Sequence, residues 1–97
     1  MTVSPAKVTL SSRLVIPDDV LFQELNREAV ILDLASERYF GLDDVGTRFW
    51  ELINDHPSVQ AAFDCLLGEY DVDASRLESD LLALANRLLD AGLIRID

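Results

Sequence analysis

Three short β-rich runs follow one another between Val20 and Leu42, and they constrain the fold more than any other part of the sequence. They cover residues 20–25, 28–34 and 38–42, and only two or three residues separate one run from the next. Runs of this length, bounded by turn residues, are typical of an antiparallel meander. The sequence after Asp43 has helical periodicity instead. We therefore expect an α+β domain in which a three-stranded antiparallel sheet precedes three helices.

Both connections within the meander contain a position that favours a positive φ. Asn26 tolerates that conformation, as a two-residue primed turn requires, although Arg27 suits such a turn less well than glycine and leaves a longer loop open. The second connection, residues 35–37, resembles a three-residue hairpin loop whose last position is left-handed. Glu37 occupies that position, where glycine has the lowest conformational cost, so we expect local strain or another turn type there.

The central run is apolar on both faces. Val30 and Leu32 share one face, and Ala29 and Ile31 share the other. A strand of this kind predicts at least partial cover of both sides of the sheet. A three-stranded sheet also has two edges with unpaired backbone groups, and a peptide can be added to such an edge as a further strand.

The helical part carries clear boundary signals, and its third helix has two apolar stripes. Asp43 or Asp44, Ser58 and Asp73 are the expected N-caps, and Gly92 is the expected C′ residue. The third helix has one apolar stripe formed by Leu77, Leu81, Leu84 and Leu88, and a second formed by Leu82, Ala85 and Leu89. Either the helix is buried on two sides, or the second stripe lines a peptide groove together with Tyr39, Phe40 and Leu42.

Length and charge restrict the remaining possibilities. The 97 residues make one domain, which we divide into an N-terminal arm at 1–13 and a folded part at 14–97. The net charge is −10, and from Gly41 onward twelve acidic residues face four arginines, so the helical part repels phosphate backbones. The amino terminus lacks a signal-peptide pattern and no run is long enough to span a membrane, so we expect a cytoplasmic protein without membrane contact.

The sequence offers few of the parts that catalysis needs. His56 is isolated in a predicted loop, and no glycine-rich phosphate loop is present. Cys65 cannot form an internal disulfide, fits a reducing compartment, and is expected to be a buried thiol on the second helix. We therefore expect neither an enzyme nor a protein that holds a metal or a cofactor.

Several segments resemble the PqqD family. The likeness is carried by residues 30–53, above all by Arg-Tyr-Phe-Gly-Leu-Asp-Asp-Val-Gly at 38–46. Glu-Tyr-Asp-Val-Asp at 69–73 and the leucine-rich helix that ends in Ala-Gly-Leu-Ile at 91–94 extend it over most of residues 14–97. One departure is Glu37, where the family often has glycine.

The resemblance implies a winged-helix-like recognition element for ribosomally made, post-translationally modified peptides. Such an element binds the leader of a precursor peptide as an added strand and presents it to a modifying enzyme, such as a radical SAM protein or a leader peptidase. Lasso peptides and the pyrroloquinoline quinone precursor are among the peptides served. The implied edge is formed by Arg38, Tyr39, Phe40, Gly41 and Leu42, and the helix wall is drawn from Leu81, Leu82, Ala85, Leu88 and Leu89. Arg38 and Arg87 are available to pair with acidic leader residues.

Two other functions remain open at this point. Three helices and a sheet also suit a winged-helix DNA-binding regulator, although Glu78, Asp80 and Asp90 on the third helix oppose the basic face that DNA readers present. The third possibility is a dimeric scaffold subunit that uses the same sheet edge for self-pairing.

Overall fold

The computed structural model describes residues 7–26 and 28–97 and confirms the predicted α+β, winged-helix-like architecture. The main sheet has the order β2-β3-β4 and is antiparallel throughout, and three helices follow it. A separate two-stranded sheet pairs β1 with β5. In chain order the elements are β1 (Leu14–Val15), β2 (Val20–Leu25), β3 (Glu28–Asp33), β4 (Arg38–Leu42), α1 (Asp44–Asp55), α2 (Val59–Glu69), α3 (Ala74–Asp90) and β5 (Arg95–Ile96).

The turns of the meander follow the predicted backbone chemistry, with one difference in length. Leu25 pairs with Glu28, so the first loop has two residues, and Asn26 has a φ of 58°. Arg27 lies outside the described residues. Glu37 has the expected left-handed conformation, with a φ of 60°.

The second loop is one residue longer than expected because β3 ends at Asp33, not at Leu34. The Asp33 carboxylate accepts hydrogen bonds from the Ala35 N–H at 3.1 Å and from the Ser36 hydroxyl at 2.8 Å. The Leu34 N–H donates to the Asp19 carbonyl at 2.9 Å, outside the β3–β4 ladder. These local bonds close the turn before Leu34 can pair with β4.

The helices cover one face of the main sheet. Ala29 and Ile31 are buried on that face, and Phe22 beside them stacks on Trp50 of α1 with ring centroids 6.3 Å apart. Val30 and Leu32 lie on the opposite face and are only half-buried. Within the described chain, the expected cover of both faces is therefore confined to one side, and the other side keeps apolar residues at the surface.

Each helix begins at a predicted cap. The Asp43 carboxylate accepts from the Gly46 N–H at 2.8 Å, so Asp43 and not Asp44 is the N-cap of α1. Ser58 and Asp73 cap α2 and α3 in the same way. The end of α3 is a Schellman motif around Gly92, whose φ is 77°, because the Leu93 N–H reaches back to the Leu88 carbonyl at 3.0 Å.

One bidentate ion pair joins the first two helices. The Arg48 guanidinium on α1 donates to both carboxylate oxygens of Glu69 on α2, at 2.9 and 2.8 Å. These hydrogen bonds lower the pKa of the Glu69 carboxyl. The pair fixes the end of α2 to the middle of α1, although both side chains remain partly exposed.

The described part of the expected N-terminal arm packs on the domain. Val8 is buried, and its N–H donates to the Asn86 side-chain carbonyl on α3 at 2.9 Å. Residues 1–6 of the arm lie outside the described residues. The alternation of apolar and polar residues around Val8 is thus used to cover one side of α3.

Two further observations concern expectations from the sequence. Cys65 is exposed, so the expectation of a buried thiol is wrong; its apolar neighbours Phe63 and Leu66 are buried on the side of α2 that faces the core. Within residues 7–26 and 28–97, none of the helices has the length and apolar character to cross a membrane.

Candidate functional site

The outer strand β4 has a free edge. In the described residues β4 pairs with β3 on one side, and no strand pairs with its other side. Backbone N–H and C=O groups on an unpaired edge are available to a further extended chain. β4 is five residues long, which is enough for a short added strand.

A cleft of about 520 Å³ lies beside this free edge, between β4, the start of α1 and α3. It combines an apolar surface with a few charged side chains, as binding sites for defined ligands commonly do. It is lined by Phe40, Gly41, Leu42, Asp43, Val45, Gly46, Val72, Arg76, Leu77, Asp80, Leu81, Ala83, Leu84 and Arg87.

The depth of the cleft depends on Gly46. A Cβ atom at this position would lie 3.3 Å from a methyl group of Leu42 and 3.3 Å from one of Leu84. It would also lie 3.1 Å from the Asp43 carboxylate that caps α1. Because Gly46 has no side chain, α1 approaches Leu42 and Leu84 closely, and these three residues form an apolar depression in the floor of the cleft.

The charges around the cleft are unevenly distributed. The Arg87 guanidinium lies over the Phe40 ring, 5.9 Å from its centroid. Farther toward the start of α3, Arg76 and Asp80 approach each other to 3.9 Å. Asp43, which precedes α1, adds a second carboxylate to the lining of the cleft. The cleft therefore has a cationic end at Phe40 and Arg87, whereas charges of both signs occur at the other end.

The structure brings together part of the sequence-predicted site. Phe40, Gly41, Leu42 and Leu81 line the cleft. Arg38 and Tyr39 belong to the same strand but lie outside it: Arg38 pairs with Asp33 in the β3–β4 register, and Tyr39 is on the opposite face, with 77% of its surface exposed. A role for these six residues in peptide binding stays a prediction.

The other helix residues of the prediction lie away from the cleft. Ala85 and Leu88 are fully buried in the core, and Leu82 and Leu89 are half-buried against it, on the side of α3 where Asn86 binds the Val8 backbone. The stripe of Leu82, Ala85 and Leu89 therefore does not line the cleft, and its role in peptide binding stays a prediction from the sequence. Periodicity defines the faces of a helix but not how the helix is rotated against the sheet.

Sequence reasoning named Leu81 and Arg87 on α3, but it missed the other residues of this helix that line the cleft. Ala83, Leu84 and Arg87 face the cleft, and Asp80 and Arg76 continue the same side toward the start of α3. Leu84 was already part of the first apolar stripe. The available signal was Arg87, a single cation three residues after Leu84 and thus on the same side of the helix.

The free edge of β4 and the cleft beside it together suit the binding of an extended chain. In residues 7–26 and 28–97 no group of three or more His, Cys, Asp or Glu side chains is placed to hold a metal ion. His56 is exposed at the end of α1, away from the cleft. An extended chain on the β4 edge would gain backbone hydrogen bonds, and every second side chain would enter the cleft.

Comparison with known proteins agrees with this geometry. Residues 28–94 match the family described as Coenzyme PQQ synthesis protein D (PqqD). The structure of TbiB1 in complex with the TbiA(beta) leader peptide superposes with a TM-score of 0.77 at 34% sequence identity, over 82% of this chain and 93% of TbiB1. Lasso peptide synthetase B1 complexed with the leader peptide superposes with a TM-score of 0.76 at 23% identity, over 86% of this chain and 98% of that chain, which shows a shared fold. No curated protein sequence matches this chain.

Proposed function

This chain belongs to the PqqD family, and we propose from that premise that it binds the leader segment of a ribosomally synthesised precursor peptide by β-strand addition. It then presents the peptide to a modifying enzyme or a leader peptidase. TbiB1, the more similar of the two solved structures, holds a leader peptide, and this supports the same kind of ligand here.

The free edge of β4 beside the cleft carries the proposal. Strand addition requires both unpaired backbone groups, which supply affinity, and pockets for alternate side chains, which supply specificity. β4 offers the first along residues 38–42, and the depression between Leu42, Gly46 and Leu84 offers the second. The two features are adjacent because Gly41 and Leu42 belong to both.

The protein acts in this proposal as a binding module and not as an enzyme. The chemistry resides in the enzyme that receives the peptide, and the module raises the local concentration of substrate at that enzyme. We place this step in the cytoplasm, where precursor peptides are synthesised and where the exposed thiol of Cys65 stays reduced.

A titration followed by NMR tests the proposal. The probe is the TbiA(beta) leader peptide, the ligand in the TbiB1 structure, added to isotope-labelled protein. We expect the amide signals of residues 39–42 and of the cleft side of α3 to shift, because new backbone hydrogen bonds form along β4. Shifts confined to α2 or to the β1–β5 pair would contradict strand addition.

Two neighbouring variants provide a matched comparison. Phe40→Asp places a carboxylate in the cleft and is expected to weaken leader binding by at least about tenfold, since a charge would replace an apolar contact. Tyr39→Asp makes the same charge change on the opposite face of the same strand, where the side chain is exposed. It should bind the leader nearly as well as the parent protein. Urea denaturation of both variants checks that they fold, and equal loss of binding in two folded variants would contradict the assigned site.

A further inference from the structure

Arg87 is a cation without an ionic partner at the mouth of the cleft. Its guanidinium is held over the Phe40 ring, and among residues 7–26 and 28–97 no carboxylate lies within 4.0 Å of it. The protein has a net charge of −10, so an acidic ligand is repelled by most of its surface. Arg87 is therefore a local exception where a carboxylate of a ligand is favoured.

The neighbouring charges on α3 do not offer a second such place. Arg76 already lies 3.9 Å from Asp80, so its charge is partly neutralised within the chain. Asp80 lies two helical turns before Arg87, about 10 Å along the helix axis, so a ligand carboxylate near Arg76 would meet a charge pair and not a free cation. Asp43 on the opposite wall would repel such a carboxylate.

The pairing of an added strand with β4 determines how far apart two side chains of the peptide must be to enter the cleft. Phe40 and Leu42 both point into the cleft, and residues directly opposite each other in a sheet point to the same side. One peptide side chain therefore enters beside Phe40 and Arg87, and another enters beside Leu42, above the depression at Gly46. These two peptide residues are two positions apart, because side chains of a strand alternate between faces.

We propose that Arg87 is a specificity-determining residue, which selects an aspartate or glutamate in the bound peptide two positions away from a large apolar residue. The carboxylate pairs with Arg87, and the apolar side chain fills the depression between Leu42 and Leu84. In a peptide that runs parallel to β4, the acidic residue precedes the apolar residue. In an antiparallel peptide, the acidic residue follows it. This inference rests on the proposed function, since it assumes that an extended peptide binds along β4.

A displayed library of random twelve-residue peptides, selected on the immobilised full chain at low ionic strength, provides the test. We expect selected peptides to share an acidic residue two positions from a leucine, phenylalanine or similar side chain. Selection on Arg87→Glu should replace the acidic residue by lysine or arginine at the same spacing. A synthetic peptide from the parent selection should lose about tenfold in affinity for Arg87→Glu. Exchange of its acidic residue for lysine should restore most of that loss.

The control is Arg95→Glu, which makes the same charge change on β5, away from the cleft. It should select the same acidic peptides as the parent. Apolar peptides selected without an acidic residue, or an Arg87→Glu selection identical to that of the parent, would overturn the inference and leave strand addition intact. The proposed function predicts a peptide that competes for the cleft and whose binding Phe40→Asp weakens. If the library yields no such peptide, both the inference and the proposed function are overturned.

Discussion

At the scale of single residues, Gly46 has the clearest consequence for binding. A methyl group at this position would narrow the depression between Leu42 and Leu84, where its Cβ would lie 3.3 Å from each. We expect Gly46→Ala to weaken peptide binding by about three- to tenfold, because one methyl group competes with a peptide side chain for the same space. Isothermal titration with the leader peptide measures this change.

Gly68 is the matched control for that substitution. It also lies in a helix, but a Cβ at Gly68 would meet no atom within 4 Å. Gly68→Ala is expected to stabilise the fold by about 0.5–1 kcal/mol and to leave peptide binding unchanged. Gly46→Ala should raise the free energy of unfolding by less than Gly68→Ala does, because its new methyl group is crowded. Peptide binding that is equally strong in the two variants would show that the cleft floor is not used.

Local sequence signals predicted single-residue conformations well and burial less well. Asn26 and Glu37 adopt the positive φ expected from their places in the turns, because turn geometry depends on adjacent residues alone. Asp43, Ser58 and Asp73 cap their helices for the same reason. Cys65 is exposed although its apolar neighbours in the sequence are buried, since burial depends on which side of α2 meets the other helices.

At the scale of elements, the Arg48–Glu69 pair makes the contact between α1 and α2 pH-dependent. Hydrogen bonds from Arg48 lower the pKa of Glu69 in the folded protein. The stabilisation is therefore present above the pKa of about 4.3 that glutamate has in an unfolded chain, and it is lost as the pH falls through the lower folded value. Both side chains are partly exposed, so the contribution at neutral pH is about 0.5 kcal/mol.

Urea denaturation of Glu69→Gln tests this contact at two pH values. At about pH 7 the variant should be less stable than the parent by about 0.5 kcal/mol, and at about pH 3 the difference should vanish. Glu51→Gln is the internal comparison, because Glu51 meets the same arginine at a longer distance of 3.7 Å. A constant difference at both pH values would assign the effect to packing instead of charge.

The orientation of α3 is the element-scale feature that the sequence left open. Leucines occupy two sides of this helix, and both are used: one packs on α1 and α2, and the other meets the N-terminal segment at Val8 and Asn86. An amphipathic pattern specifies a helix and an apolar face, but contacts between distant segments decide which neighbour covers each face. The sequence pattern therefore predicts residues 82, 85, 88 and 89 for the groove wall but does not identify Leu84, which lines the cleft in the structure.

At the scale of the whole molecule, one core connects the sheet and all three helices. Ile31, Phe49, Leu66 and Leu88 are fully buried within it, although they come from four different elements. Leu88→Ala is expected to lower the free energy of unfolding by about 2–5 kcal/mol while a single cooperative transition is retained. Leu67→Ala, at an exposed leucine of α2, should change it by at most about 0.5 kcal/mol. Thermal denaturation monitored by circular dichroism compares the two, and separate transitions would contradict a single core.

The acidic charge of the molecule weighs against the DNA-binding alternative and leaves few sites for acidic ligands. The excess of carboxylates is concentrated in the helical part, which a winged-helix regulator would have to turn toward phosphates. The fold class, the meander and the helix boundaries followed from local patterns. The position of the cleft required the structure, because it is formed by β4, α1 and α3, which are separated in sequence and meet only after folding.

Asp43 alone connects β4 to α1, and this short junction has a consequence for the energetics of recognition. β4 is anchored at one end by the turn at Asp33 and at the other by the helix cap, so a peptide added to its edge would meet a strand that is already ordered. Most of the conformational entropy lost when such a peptide binds would then be lost by the peptide and not by β4. Peptides that β-branched residues keep extended in water should dissociate more slowly than glycine-rich peptides of the same length.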